Sequence, residues 1–272
     1  MVRKTCVILV SLAVLAARSA SATTIIDLTT VGATSTQNAN VGGSFTVTQI
    51  DPQSTGTGVI DSFLRIQQTG QERGFNTDIG TPLDDKGGSF THSLLLSALP
   101  VANLGGTDYY QFTLDINQNG TELLSLNQIQ IFQSAADPGG SFNLIEATAG
   151  TDALISFPAA SERFRMDSLA NNYEILLDYS LNSGSGSGDM LLYVQKSNFV
   201  QLPGSYVTLF SQFGTPPGQQ ASNDGFEEWW VVKPSGSGSN NPQDAVPEPA
   251  SLLLLGSGLA LAARRVRRKQ NG

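Results

Sequence analysis

Apolar and polar residues alternate with a period of two along much of the chain. Tyr110, Phe112, Leu114 and Ile116 are separated by Gln111, Thr113 and Asp115, and Tyr173, Ile175, Leu177, Tyr179 and Leu181 keep one phase over nine residues. A strand turns successive side chains to opposite faces, so each stretch predicts a half-buried strand with one wet face. Leu124 and Leu126 begin another strand, but the apolar phase then moves to Ile129 and Ile131, which predicts a β-bulge near Asn127-Gln128. Further strands are predicted over residues 45–50, 59–66, 90–96, 190–195, 207–213 and 226–232, with turn signals between them. Helix is scarce, and residues 161–170 are the best candidate. The expected fold is all-β, an antiparallel β-sandwich of jelly-roll type.

Glycine and serine punctuate this pattern. Gly-Gly-Ser-Phe occurs at Gly42, Gly87 and Gly139, each time ahead of a β-like run, and the unequal spacing argues for a shared turn solution rather than a repeat array. The stretch 182–188 lies between two predicted strands and reads as a long flexible hairpin loop. A second Ser-Gly stretch, 234–245, follows the last strand and reads as a tether whose root-mean-square reach is roughly 20 Å. The body is therefore expected over residues 23–233, between two terminal segments of another character.

Those termini carry export signals. Arg3 and Lys4, an apolar stretch from Cys6 to Ala17 and the small residues Ala20-Ser21-Ala22 read as a secretory signal peptide over 1–22, cut between Ala22 and Thr23. At the other end, residues 246–272 contain Val246-Pro247-Glu248-Pro249, an apolar run from Leu252 to Ala263, and a basic cluster of Arg264, Arg265, Arg267, Arg268 and Lys269. The twelve apolar residues would span only about 18 Å as a helix, against a hydrocarbon core about 30 Å thick. The predicted short hydrophobic helix is thus a marginal membrane segment, anchored on the cytoplasmic side by its basic end. A sorting tail or a permanent tail anchor would each have this form.

Charge and cysteine content narrow the classes. Between the two signals, residues 23–245 hold 7 basic and 22 acidic residues, a net charge of −15. That balance disfavours nucleic acid, whose phosphates need clustered Lys and Arg, and leaves divalent cations as plausible companions. The single cysteine, Cys6, falls in the leader, so the exported fold must rest on its core rather than on disulfides.

Candidate chemistry is thin. Asp115, Asn117 and Asn119 precede Gly120 with the spacing of the first half of a calcium loop, yet Leu126 stands where the bidentate Glu belongs. A polar hairpin turn is the favoured reading, and no cofactor is expected beyond calcium at this turn. Asp178, Asn182 and Asp189 flank the Gly-Ser loop and could gather around a cation or simply be solvated. Asp84-Asp85 reads as a solvated turn. His92 is the only histidine and reads as a strand-surface residue, which leaves little material for a His-rich zinc site or a Ser-His-Asp triad. No Gly-x-Ser-x-Gly elbow or phosphate-binding glycine loop is present. Glu227-Glu228-Trp229-Trp230 places carboxylates beside aromatic rings, as a glycan hydrolase would, although a final strand burying one Trp is the simpler account.

The ordered tail resembles the PEP-CTERM signal of bacteria: Val-Pro-Glu-Pro-Ala-Ser, a Leu-rich segment with a Gly-x-Gly centre, and a terminal Arg cluster. The resemblance implies recognition and processing by a membrane-embedded exosortase, with Pro247, Glu248 and Pro249 as the recognition box, in a bacterium that makes exopolysaccharide. The body is similar to a domain that recurs in PEP-CTERM proteins, through Phe63-Leu64-Arg65-Ile66-Gln67, Gly74-Phe75-Asn76-Thr77-Asp78, Phe90-Thr91-His92-Ser93-Leu94, Leu114-Asp115-Ile116-Asn117-Gln118 and Asn223-Asp224-Gly225-Phe226-Glu227-Glu228-Trp229. That similarity implies no active site. The expectation is an exported cell-surface or extracellular-matrix structural protein without enzymatic activity. Its partners would be the secretion machinery, an exosortase, the membrane through its C-terminal segment before processing, and an extracellular polysaccharide. A carbohydrate- or calcium-binding lectin-like module and a glycan-acting hydrolase are the alternatives.

Overall fold

The computed structural model describes residues 23–50, 60–118, 123–145, 152–167, 172–182, 188–214, 220–223 and 225–232. All of them fall in the first of two units, Met1–Lys233 and Pro234–Gly272. The expected signal peptide, linker, sorting box, hydrophobic helix and basic anchor lie outside them, as does Asn119.

Eighteen strands form among the described residues. The first six are β1 (Thr23–Asp27), β2 (Thr34–Asn38), β3 (Ser44–Gln49), β4 (Ile60–Ile66), β5 (Thr69–Gly70) and β6 (Glu72–Phe75). The chain continues through β7 (Leu94–Leu95), β8 (Val101–Leu104), β9 (Thr107–Asp115), β10 (Leu123–Ser134), β11 (Asn143–Ile145) and β12 (Leu154–Ser156). It ends with β13 (Ala160–Arg165), β14 (Asn172–Asp178), β15 (Met190–Gln195), β16 (Tyr206–Phe213), β17 (Ser222–Asn223) and β18 (Glu227–Val232).

These strands build two sheets of seven that share one hydrophobic core. The first runs β1-β14-β10-β16-β6, with β13 added on β10 and β7 on β16; the second runs β2-β3-β15-β9-β18-β4, with β8 added on β9. The small pairs β11–β12 and β17–β5 complete the set. Pairing is antiparallel apart from β1 on β14, which is parallel. The all-β sandwich read from the alternation is what the chain forms.

The alternation works where it was read. In β9 and β15, Phe112 lies opposite Leu192, which in turn faces Val47 of β3, and all three are buried. Trp229, Phe45, Phe63, Phe112, Phe164 and Phe213 fill the space between the sheets, and full burial of each such side chain is worth about 1.5–3 kcal/mol. The bulge is also present: the pairing of β10 with β16 shifts register between Leu126 and Gln128.

Strand β10 departs from the one-wet-face expectation, because its outer face is covered as well. Phe75, Phe132, Ile155, Phe157 and Phe210 form a second small core there. Glutamines of β10 bond to the backbone of the segments that cover it. Gln130 accepts the Ile155 amide at 2.8 Å and returns a hydrogen bond to the Ile155 carbonyl at 3.2 Å, and Gln133 makes the same reciprocal pair with Val200 at 3.0 and 2.6 Å. A side-chain amide carries a donor and an acceptor in the relation a backbone peptide does, so these residues can be buried and satisfied.

Three expectations are corrected. Residues 160–165 form strand β13 rather than a helix, since Phe164 and Met166 are buried at a spacing of two and Arg165 bridges Val41. Residues 90–96 hold only the two-residue strand β7 before a 3-10 turn at Leu96–Ala98. Asp78 is the cause, accepting the Ser93 amide at 2.9 Å and its hydroxyl at 2.6 Å and so bending the chain. Strand β14 stops at Asp178, whose carboxylate accepts the Ser180 amide at 2.8 Å and opens a 3-10 turn over Tyr179–Leu181.

Candidate functional site: acids inside the sandwich

The calcium-like turn begins where β9 ends. Asp115 is fully buried, and its Oδ1 accepts the Gly188 amide at 3.0 Å. Asp189, also buried, accepts the Ile116 amide on Oδ2 at 2.7 Å, while its Oδ1 has no hydrogen-bond partner. Gly188 and Asp189, which follow the Gly-Ser loop, are thus stitched to the end of β9 by carboxylates. Burial pushes Asp189 up to about 8, and the negative charges of Asp115 and Asp178 add to this. Asn182 does not face this pair as a ligand: its amide donates to the Ile50 and Gly188 carbonyls at 2.6 and 2.8 Å. The Asn117 carbonyl lies against Gly225, where there is no space for a Cβ.

Two further acid pairs were not foreseen. Asp152 and Asp167 meet at the start of β12 and the end of β13, and burial pushes Asp167 up to about 9 and Asp152 up to about 6. Asp167 accepts the Tyr173 amide at 2.7 Å on one oxygen, and its carboxyl also faces that of Asp152. Glu72 of β6 and Glu227 of β18 form the third pair, both fully buried and both raised, chiefly by desolvation. The usable signal was a lone carboxylate on the buried phase of a strand, as at Glu72 two residues before Gly74. Among the described residues no three Asp, Glu, His or Cys side chains converge as a metal cluster.

The remaining candidates have structural partners. His92 is not in a strand; its Nδ1 lies 2.8 Å from the Ser93 carbonyl and its Nε2 3.5 Å from Asp61. Asp84-Asp85 is no solvated turn, since Asp84 accepts the Arg73 amide at 3.0 Å and the buried Asp85 accepts that of Leu83 at 3.0 Å. In β18 both tryptophans are buried, since the strand is covered on both faces, and its register with β4 shifts between Trp229 and Trp230. Neither ring is available as a sugar platform. Glu228 pairs with Arg65 at 3.1 Å and contacts the Ser62 hydroxyl. The Arg65 guanidinium lies between two rings, 3.4 Å from the centroid of Phe90 and 4.3 Å from that of Phe226.

No helix among the described residues is long and apolar enough to cross a membrane. No curated protein matches the chain. Residues 245–269 match the family described as the PEP-CTERM protein-sorting motif, a span that contains the sorting box 246–249 and the basic cluster 264–269. The chain therefore carries a PEP-CTERM sorting motif, the signal of an exported, surface-directed protein processed by an exosortase.

Proposed function

We propose that the protein is a non-enzymatic structural component of an extracellular matrix that contains exopolysaccharide. Exosortase action on the tail would deliver the β-sandwich to the cell surface or beyond it. The sorting motif at 245–269 is the observation that carries the reading. The disposition of the acids supports it: Asp115, Asp167, Asp189, Glu72 and Glu227 sit inside the fold and not in an open cleft. An exported stretch 23–245 with a net charge of −15 repels its own copies and an acidic glycan alike, so association with matrix would run through neutral sugars or through cations.

The test is the intact mass of the exported protein from its native host, compared with Glu248→Ala. A species that starts at Thr23 and lacks the basic tail only in the wild type supports processing through this box. An uncut tail in both makes the protein a membrane-anchored surface protein instead. Loss of surface matrix on deletion, with no glycan turnover by the purified protein, supports the structural role.

A further inference from the structure

Strands β6 and β18 belong to different sheets, and each turns one glutamate into the interior between them. The carboxyls of Glu72 and Glu227 meet there, and neither side chain has any solvent exposure. Their outer oxygens are anchored: Glu72 Oε2 accepts the Gln68 amide at 2.7 Å, and Glu227 Oε1 accepts Gln118 Nε2 at 2.6 Å. The inner oxygens, Glu72 Oε1 and Glu227 Oε2, have no partner. The buried hydroxyl of Ser222 in β17 faces the Glu72 carboxyl without a hydrogen bond of good geometry. Three oxygens from three separate elements are thus brought together, and the only groups each inner oxygen faces are the other members of this set. Asp84 contributes further negative potential, and Arg65 is committed to Glu228 on the neighbouring position of β18.

Two carboxyls in a space closed to water must take up a proton or a compensating cation, since an isolated buried anion is costly. We propose that Glu72, Glu227 and Ser222 form the centre of a divalent-cation site of the calcium class that ties the first sheet to the second. Two carboxylates match the charge of one such ion. An all-oxygen donor set of carboxylate and hydroxyl groups suits calcium or magnesium and not the softer metals. Ligands from three differently directed strands suit calcium's flexible shell of six to eight oxygens better than the strict octahedron of magnesium. The frame is rigid: Gly225 packs on the Asn117 carbonyl and Gly214 on the Gly70 carbonyl, each with no space for a side chain. Such a site would act as a staple, and extracellular modules hold calcium with dissociation constants of about 10⁻⁴–10⁻³ M.

The experiment is a thermal melt of the full chain, purified in detergent, stripped with a chelator and titrated with calcium chloride at pH 7.5. The midpoint is expected to rise by several degrees between about 0.1 and 10 mM calcium, and by less with magnesium. Glu72→Gln and Glu227→Gln keep the anchoring hydrogen bonds and should abolish the rise, while Asp189→Asn, in a separate acid pair, should retain it. Ser222→Ala leaves both carboxylates in place and should weaken the apparent calcium affinity several-fold. Equilibrium dialysis of the wild type should find one bound calcium that Glu227→Gln loses. A midpoint indifferent to calcium that rises only on acidification would mean that the pair shares a proton, and the proposal fails. A calcium response that survives in both Gln variants places the ion elsewhere and overturns it as well.

Discussion

Trp229 of the second sheet donates its indole N–H to the hydroxyl of Ser211 in the first, at 3.0 Å, through the middle of the sandwich. Both residues are fully buried, so this bond crosses the core where no water can replace it. Ser211→Ala should cost about 1–3 kcal/mol by leaving the indole donor unpaired. Trp229→Phe should cost a similar amount, with added loss from the cavity. Urea denaturation of the two single variants and the double should show a double variant much less destabilised than their sum.

Arg65 is held by two rings and a carboxylate, and Glu228 is almost fully buried beneath it. Arg65→Met removes the counter-charge while leaving the carboxylate inside, so a loss of about 3 kcal/mol is expected. Adding Glu228→Gln should recover most of it. Thermal midpoints of the single and double variants measure both effects.

The acid pairs set the pH dependence. Burial raises Asp167 from an ordinary value of 3.8 to about 9 and Asp189 to about 8, so the folded chain retains protons that the unfolded chain has already released. Where the folded state binds more protons, stability falls as pH rises. The decline should begin near pH 4 and continue to about pH 9. Near the surface, Asp27 and Asp78 are held low by hydrogen bonds from Thr29 and Ser93, so they act in the opposite sense only below about pH 4. Urea midpoints in calcium-free buffer at pH 5, 7 and 9 should decrease in that order, and Asp167→Asn should flatten the slope.

Gly225 lies directly against the Asn117 carbonyl, and a Cβ at this position would overlap backbone rather than a side chain that could move aside. Gly225→Ala should therefore cost more than about 3 kcal/mol or abolish folding. Soluble yield and a melt of any folded fraction test this. Gly32→Ala, where nothing stands in the way of a Cβ, is the comparison for the strain of a positive φ alone.

Strand β15 was legible because it buries one face and leaves the other partly exposed, the condition under which a period of two appears in the residues; β9 keeps that period in its residues although Thr113 and Asp115 are buried too. Strand β10 was readable for its bulge but not for its burial, since Gln128, Gln130 and Gln133 are polar residues inside the protein. Strand β13 was misread because Glu162, Arg163 and Arg165 mask the spacing of Phe164 and Met166. The acids were hardest to find. Glu72 and Glu227, or Asp115 and Asp189, are joined by topology across long stretches of chain, and each alone resembles an ordinary surface carboxylate. The sorting motif was legible in full, because it is read as a linear sequence.

The parallel pairing of β1 with β14 bears on the order of events during export. Thr23 lies beside Asn172, whose side-chain amide donates to its hydroxyl at 3.0 Å across 149 positions of sequence. A chain delivered N-terminus first would present β1 to the far side of the membrane long before its partner arrives. Until then the leading segment has no strand to pair with, and the closing of this large loop makes it a late step in folding. The first residues out would be among the last to settle, which gives an unfolded, translocation-competent chain time to cross before the sandwich closes.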